Sequence, residues 1–147
     1  MPPEDKLLRV VVDTNVFFSA LAFPAESPPA RVFKLVVDSK ILAFSSPFIV
    51  DELEKNLRSK AGWDDEQLRA LRRRLKLMIR LVVPTSHLSV IKRIEADNRI
   101  LECAVDAQAN VLITGNLKDI RPLGAFQGID ILTPREFLTR YFPTFDD

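Results

Sequence analysis

The sequence predicts an α/β fold in which a parallel β-sheet carries helices on both faces. Three observations support this prediction. Short apolar strands alternate with helical segments along the chain. The strands are rich in valine, isoleucine and leucine, which is typical of parallel strands buried on both faces. Prolines and helix-capping residues mark the ends of several elements. Right-handed crossovers between the strands follow as the default arrangement.

The first part of the chain is predicted to form two strands and two helices. The β-branched run over 7–13 ends on an acid and predicts a strand that is buried on both faces. A helix over 14–23 follows, and the prolines after it end that helix because proline cannot continue one. A second helix is predicted over 30–40 and a second strand over 41–46.

A third helix, over 46–60, has clear start and stop signals. Ser46 is a favourable N-cap, and Pro47 suits the first helical position because its backbone angle is already helical. Gly62 is expected to end this helix. These signals fix the helix in the sequence without any reference to its packing.

A fourth helix is predicted over 65–80. Asp64 and Gln67 have the spacing of a capping box at its start. Its leucines lie on one stripe and its arginines lie elsewhere, as in a helix packed against a core on one side. A third strand is predicted over 81–84, where Pro84 stops it.

The last third of the chain continues the alternation of helices and strands. Residues 85–96 are predicted to form a loop with some helical turn. Asp97 is predicted to cap a helix that extends to about residue 108. The remaining predicted elements are strands over 110–115 and 128–133 and a helix that begins at Thr133-Pro134.

Composition limits the class of protein. The 147 residues suit one domain, and we expect a single domain over 1–147. No segment approaches the roughly 20 apolar residues that cross a bilayer, and we read no signal peptide, so a cytoplasmic location without membrane contact is expected. Cys103 and His87 are each alone, which excludes an internal disulfide and a His/Cys zinc site. Cys103 is expected to be a small buried side chain rather than a nucleophile.

Acidic and amide residues gather near the predicted carboxyl ends of the strands, where parallel sheets bind their ligands. These residues are Asp13, Glu52, Asp97, Glu102, Asn116 and Asp119. Carboxylates that share one cleft repel each other unless they are protonated or neutralised by a cation. Magnesium prefers oxygen ligands and usually takes one or two carboxylates together with waters and substrate phosphates. The joint position therefore predicts a site for a divalent metal ion.

Each of these acids also has a plain structural interpretation. Asp13 at a strand end could be a turn or capping residue, and Asp97 could simply cap its helix. Asp119 could be a turn residue. Glu52 and Glu102, taken singly, are more often surface charges, although the apolar neighbours of Glu102 favour an inward polar role. The metal hypothesis depends on the joint position of these residues and on no single one of them.

Four blocks follow one another along about residues 8–140: VVDTNVFFSAL, SPFIVDELEKNL, ADNRILECAVDAQANVLITGNLKDI and IDILTPREFL. In this order they resemble the PIN-domain family, in the branch of VapC-like toxin components of toxin–antitoxin systems. The resemblance implies a three-layer α/β/α sandwich with a five-stranded parallel sheet. It implies a metal-dependent endoribonuclease that uses Mg²⁺ or Mn²⁺ to hydrolyse RNA. It also implies a toxin of a type II toxin–antitoxin system, with an antitoxin protein as partner and a homodimer as the assembly.

The resemblance also assigns roles to residues. Asp13 corresponds to the metal ligand after the first strand, Glu52 to the acid on the helix after the second strand, and Asp97 to the acid that opens the helix before the fourth strand. Thr114 corresponds to the small hydroxyl residue at the end of the fourth strand. Asn15 has no role assigned by the resemblance; it could be a plain helix-start residue or could orient Asp13 by hydrogen bonds.

Asn116 departs from the family pattern, because many PIN nucleases carry a further Asp there. Asn still offers a carbonyl oxygen but lacks the negative charge, so a second metal ion would bind more weakly. Asp119 or Glu102 could replace that charge. The predicted catalytic residues are Asp13, Glu52, Asp97 and Asp119, and the predicted metal ligands are these four together with Asn116.

Basic residues crowd the fourth predicted helix and the start of the next strand. We consider Arg69, Arg72, Arg73 and Arg80 as RNA-binding residues. A solvated helix face is the commonest meaning of such charges, whereas contact with phosphates is the sharper interpretation because guanidinium groups bind phosphate through two hydrogen bonds. Phe23 and nearby apolar residues could form part of a dimer or antitoxin surface.

Two other functions compete with the nuclease. The first is a catalytically weak or inactive PIN-like module that binds RNA or a protein, with Asn116 as its first sign of decay. The second is a receiver-type signalling domain with an acidic magnesium pocket. A receiver would need paired acids after the first strand and a lysine after the fifth, whereas here the first strand ends in the single Asp13.

Overall fold

The computed structural model describes residues 7–23 and 26–144 and shows a six-stranded sheet with helices packed on it. The strands are β1 (Arg9–Val12), β2 (Leu42–Ser45), β3 (Ile79–Leu81), β4 (Val111–Ile113), β5 (Ala125–Phe126) and β6 (Ile129–Leu132). The helices are α1 (Thr14–Ala22), α2 (Pro28–Val37), α3 (Pro47–Ala61), α4 (Asp65–Met78), α5 (Asp97–Asp106) and α6 (Pro134–Tyr141). Within these described ranges, no helix is both long enough and apolar enough to span a bilayer.

The sheet has the order β3-β2-β1-β4-β6-β5. All its neighbouring strands are parallel except β5 and β6, which are antiparallel. The predicted α/β class with a parallel central sheet is therefore confirmed. Strands β2 and β3 lie on one side of β1, whereas β4, β5 and β6 lie on the other side. The strand order therefore reverses direction between β1 and β4, which is the topological switch point of the sheet.

Strand β5 was not predicted from the sequence, so the sheet has six strands instead of the expected five. Ala125 pairs with Asp130 and Phe126 pairs with Ile129 across a two-residue turn. Both turn residues have positive φ, 50° at Gln127 and 80° at Gly128, as tight hairpin turns between antiparallel strands often require. A strand of two residues leaves no periodic pattern in the sequence, so only its pairing with β6 reveals it.

The third strand was predicted at 81–84 and lies instead at β3. The helix before it ends at Met78 rather than at residue 80. Ile79 and Leu81 pair with Ala43 and Ser45 of β2, so these residues belong to the sheet rather than to the helix. Pairing with a neighbouring strand outweighs the helical pattern at this boundary.

Both faces of the sheet are buried, as the apolar strands predicted. Val10 and Val12 belong to one core cluster, which includes buried residues of α1, α2, α3, α4 and α6. Val11, between them in β1, points to the other face and packs with Leu101 and Ala104 of α5. All three valines are fully buried. The sheet is thus the middle layer between two layers of helix.

Most of the predicted helix signals are confirmed. The Ser46 side chain accepts a hydrogen bond from the Ile49 N–H, and Asp64 and Gln67 form both bonds of a capping box. Gly62 ends α3 with a φ of 71°. The prediction that Asp97 caps α5 was wrong: Ala96 occupies the cap position, and Asp97 is the first residue of the helix. Its carboxylate is consequently available for other contacts.

Residues 82–94 form an irregular segment that α5 holds in place. The side chains involved lie on one face of the helix, at Asn98, Glu102 and Asp106, and we call them the α5 polar stripe. Asn98 accepts a hydrogen bond from the Ile91 N–H at 2.8 Å and donates to the Ile91 carbonyl at 2.9 Å. Glu102 accepts from the Leu88 N–H at 2.9 Å. Asp106 accepts from Ser86 and Thr85. The stripe therefore ties this segment to the helix at three points.

Candidate active site

The candidate site lies at the carboxyl ends of β1 and β4, at the switch point of the sheet. The Asp13 N–H donates to the Ile113 carbonyl at 2.9 Å, which continues the β1–β4 pairing by one residue. Asp13 and Thr114 therefore follow adjacent strands side by side. Open α/β sheets bind their ligands at this position.

Asp13 is a buried carboxylate, with 2% of the residue exposed. Thr114 Oγ1 donates a hydrogen bond to its Oδ2 at 2.7 Å. Burial raises the pKa of Asp13 to about 6, with a further rise from the charge of Asp97; the Thr114 hydrogen bond opposes the shift. Although Asp13 precedes α1, its side chain makes no capping hydrogen bond. The backbone N–H groups of Thr14 and Asn15 lower the pKa of Asp13, but by less than burial raises it, so capping does not account for the buried acid.

Asp97 lies in the first turn of α5 and is half-buried. Its Oδ2 accepts a hydrogen bond from Asn116 Nδ2 at 3.1 Å. Burial raises the pKa of Asp97, and the charge of Asp119 raises it further, whereas Asn116 and Arg93 lower it. In both Asp13 and Asp97, burial disfavours the charged carboxylate by more than the neighbouring donors favour it.

Asn116 orients Asp97 through its amide group. Its Oδ1 accepts from the Lys118 N–H at 3.2 Å and from the Asp119 N–H at 2.9 Å. Because backbone N–H groups can only donate, the amide oxygen must face them, and the NH₂ group faces Asp97. In this arrangement the Asn116 side-chain oxygen stabilises the turn after β4. The metal-ligand role predicted for this oxygen stays a prediction.

Asp119 is paired with Arg93, a residue that was not predicted as part of the site. Arg93 Nε and Nη2 each donate to one oxygen of Asp119 at 2.8 Å, which is a two-pronged ion pair. The pair holds the pKa of Asp119 below its usual value, chiefly through the hydrogen bond from Arg93. No local motif marks Arg93, because it lies in the irregular segment and reaches Asp119 only in the folded chain.

The metal site predicted at this edge would depend on two carboxylates. Among residues 7–23 and 26–144, no three His, Cys, Asp or Glu side chains come together in an arrangement that could hold a metal ion. Asp13 and Asp97 are the two acids of this edge whose pKa values are raised, and the charge of Asp97 contributes to the rise at Asp13. Since Mg²⁺ usually takes only one or two carboxylates and fills its shell with water and substrate phosphates, this pair suits such an ion.

Comparison with known families agrees with this geometry. Residues 9–118 match the model of the PIN domain. The chain belongs to the PIN-domain family. PIN domains are generally nucleases, which are hydrolases of phosphodiester bonds. The matched region contains β1 to β4 and therefore includes Asp13, Asp97 and Thr114.

The matches to individual proteins cover more of the chain than that region. An uncharacterized protein of Methanocaldococcus jannaschii, MJ1680, is 30% identical over 146 residues, which cover 91% of this chain and 92% of the relative. VapBC2 from Rickettsia felis, solved bound to a DNA fragment from their promoter, matches at a TM-score of 0.56 and 13% identity over 84% of this chain and 97% of that chain. FitAcB from Neisseria gonorrhoeae matches at a TM-score of 0.47 and 17% identity over 86% of this chain and 98% of that chain. The VapBC2 match confirms the fold.

The other predicted site residues of this PIN domain lie in different surroundings. Glu52 on α3 is half-buried and makes no hydrogen bond or ion pair with any described residue. Glu102 is buried in the α5 polar stripe, where it also pairs with Arg99 at 2.9 Å. Asn15 is exposed at the first turn of α1 and lines a cavity of about 320 Å³ together with Gly115 and Arg135. Among the described residues, Glu52 is thus a carboxylate without a partner, and Glu102 is fully engaged by its contacts with Leu88 and Arg99.

The arginines of α4 differ from one another. Arg72 donates to both oxygens of Glu54 on α3 and lies 3.7 Å from Asp51. Arg69 and Arg73 are exposed on the same helix, and Arg80 is exposed on β3. Arg72 therefore joins two helices, and the RNA-binding role predicted for these arginines stays a prediction.

Cys103 shows the surroundings expected of a structural thiol. The residue is fully buried in α5. Burial raises its pKa to about 12, so the thiol stays protonated near neutral pH. The prediction that Cys103 is a small buried side chain is confirmed.

Proposed function

We propose that this PIN domain is an endoribonuclease that hydrolyses RNA phosphodiesters with Mg²⁺ or Mn²⁺. One observation carries the proposal: the buried Asp13 keeps a raised pKa beside Asp97 at the ligand-binding edge of the sheet. A protein gains nothing in stability from such a pair, because burial and repulsion both disfavour its charges. A bound cation is the natural means of relieving both.

The proposed roles follow from the contacts. Asp13 and Asp97 would hold the ion directly, and Glu52 would act on it only through a coordinated water, since the three carboxylates do not form one ligand group. Thr114 fixes the Asp13 carboxylate, and Asn116 fixes that of Asp97. When bound, a divalent cation polarises a phosphate oxygen and lowers the pKa of a coordinated water. Positioning of the two carboxylates is therefore the main task of the neighbouring polar side chains.

The substrate and partners belong to the proposal as well. RNA would lie against the exposed Arg69 and Arg73, with Arg80 nearby in sequence. A toxin role in a type II toxin–antitoxin system, in the cytoplasm and as a homodimer, is supported by the four sequence blocks that resemble VapC-like proteins. Phe23, whose surface is 62% exposed, offers an apolar contact for an antitoxin.

The Asp13→Asn variant tests the nuclease. We expect RNA cleavage in the presence of Mn²⁺ to fall by more than about 100-fold, because the loss of a direct ligand should exceed the 10- to 100-fold typical of an outer partner. The measurement is cleavage of single-stranded RNA, with EDTA as the metal-free reference.

A matched control uses the same substitution at an acid outside the site. Asp106→Asn changes an aspartate of the α5 polar stripe, and we expect cleavage to stay within about twofold of the unmodified protein because that residue serves the fold. Full cleavage by Asp13→Asn at limiting Mn²⁺ would contradict the assignment.

A second candidate function is a PIN module that binds RNA without cutting it. It is favoured by the shortage of free negative charge: Asn116 stands where many PIN nucleases carry an Asp, and Asp119 is neutralised by Arg93. RNA binding without any EDTA-sensitive cleavage would select this candidate over the nuclease.

A further inference from the structure

We infer that Arg93 occupies the place of a second metal ion, so that this PIN domain binds one divalent cation per chain. The inference rests on the proposed metal site at Asp13 and Asp97. It concerns the number of ions and the role of a side chain that no sequence motif marks. The guanidinium is a permanent positive charge, and it is already bonded to the acid that a second ion would need.

The geometry of the ion pair supports this role. Both oxygens of Asp119 accept from Arg93 at 2.8 Å, which leaves this carboxylate with both oxygens occupied. The Asp119 side chain is only 7% exposed, whereas that of Arg93 is 54% exposed. The arginine therefore reaches from the surface to an enclosed acid, unlike a pair of two solvated side chains.

The charges of the site also favour a single ion. Asp13, Asp97 and Asp119 form a chain of interacting acids, since Asp97 acts on Asp13 and Asp119 acts on Asp97. Arg93 acts on both Asp119 and Asp97. Together with Glu52 these carboxylates carry about four negative charges, whereas one guanidinium and one divalent ion supply about three positive charges, and a second divalent ion would leave an excess of positive charge.

Two further contacts make the arrangement specific. The Asn116 side-chain oxygen already accepts from the Lys118 and Asp119 N–H groups, so a second ion would have to compete with both of these donors for it. The segment that carries Arg93 is tied down at Ile91 by both polar atoms of the Asn98 side chain. The backbone that carries Arg93 is thus held in place close to Asp119, which limits the conformational entropy lost when the ion pair forms.

The test counts bound Mn²⁺ by titration calorimetry and by electron paramagnetic resonance, without RNA. We expect one ion per chain in the unmodified protein. Arg93→Gln removes the charge and frees Asp119, and we expect a second ion to bind at least about tenfold more tightly than to the unmodified protein. Arg93→Lys keeps the positive charge and should retain a single ion. Asp119→Asn added to Arg93→Gln should abolish the second ion.

Each outcome decides the inference. Two ions in the unmodified protein, or an Arg93→Gln variant whose second-ion affinity is unchanged, would overturn it. Absence of any Mn²⁺ binding would overturn both the inference and the proposed nuclease. A single Asp13-dependent ion that is joined by a second one in Arg93→Gln, in a protein that does not cleave RNA, would support the inference while refuting the proposed nuclease.

Discussion

Helix α5 carries aspartates in two contrasting regions, one at the candidate site and one in the polar stripe. Asp97 begins the helix, accepts one amide hydrogen bond, and has a raised pKa. Asp106 ends the helix, accepts from Ser86 and Thr85, and has a lowered pKa chiefly because of the Ser86 hydroxyl. The residue type and the helix are the same. Burial of the carboxylate and the number of donors around it together separate an acid that holds the fold from one available to a ligand.

The same contrast holds elsewhere in the molecule. Glu136 accepts two hydrogen bonds from Arg121 at 2.8 Å and one from the Thr133 N–H, and its pKa falls to about 2. Asp13 accepts one side-chain hydrogen bond, from Thr114, and the Thr14 and Asn15 N–H groups also lower its pKa, but burial raises that pKa to about 6. Acids with saturated donors stabilise the fold when charged. Acids that are short of donors hold unfavourable charge, which is typical of functional sites.

Breaking the polar stripe should give the largest change in stability. Asn98→Ala leaves the N–H and carbonyl groups of Ile91 without their partner in a buried position, and we expect the free energy of unfolding to fall by about 3 kcal/mol. Urea denaturation measures the change. Lys92→Ala, at an exposed neighbour, is the control and should change stability by less than about 0.5 kcal/mol. A loss below that figure for Asn98→Ala would show that the stripe does not hold the segment.

Removing the Asp13 charge should raise the free energy of unfolding, whereas breaking the α5 polar stripe lowers it. Asp13 is protonated in both states below its ordinary pKa of 3.8, and between 3.8 and about 6 only the unfolded chain ionises. The folded state therefore loses stability as pH rises through this range, and the loss persists above it. Asp13→Asn should be more stable than the unmodified protein by about 2 to 3 kcal/mol at pH 8 without metal, and equally stable near pH 3.

Urea denaturation across this pH range measures the Asp13 effect, and Asp106→Asn serves as the matched comparison. The lowered pKa of Asp106 stabilises the fold above the usual aspartate pKa, and that stabilisation is lost as pH falls through the lowered value. Asp106→Asn should therefore be less stable than the unmodified protein at pH 8. A stability difference for Asp13→Asn that does not vary with pH would refute the contrast between the two acids.

Glu102→Gln should have the smallest effect and sharpens the boundary between stripe and site. The amide can still accept from the Leu88 N–H but loses its charge beside Arg99, so we expect a loss of about 1 kcal/mol in unfolding free energy. Mn²⁺ affinity should stay within about twofold, since the residue is engaged away from the proposed ligands. A tenfold weaker Mn²⁺ affinity would instead place Glu102 in the metal site.

The sequence predicted features whose signals are local or periodic. The buried strand that ends at Asp13 and the caps at Ser46 and Asp64 depend on adjacent residues, and the structure confirms them. Asp97 was misjudged as a cap because an acid that precedes a helical pattern has the same appearance as one that opens it. The Arg93–Asp119 pair had no signal, because it forms only when an irregular segment returns to the end of β4.

Both edges of the sheet are very short. Strand β3 at one edge has three residues, and β5 at the other has two and folds back as a hairpin. Exposed strand edges can recruit a strand from another molecule, and short edge strands give such pairing few hydrogen bonds. The homodimer proposed for this chain would therefore form through its helices and loops rather than by extending the sheet. We expect concentrated solutions to resist edge-to-edge aggregation for the same reason.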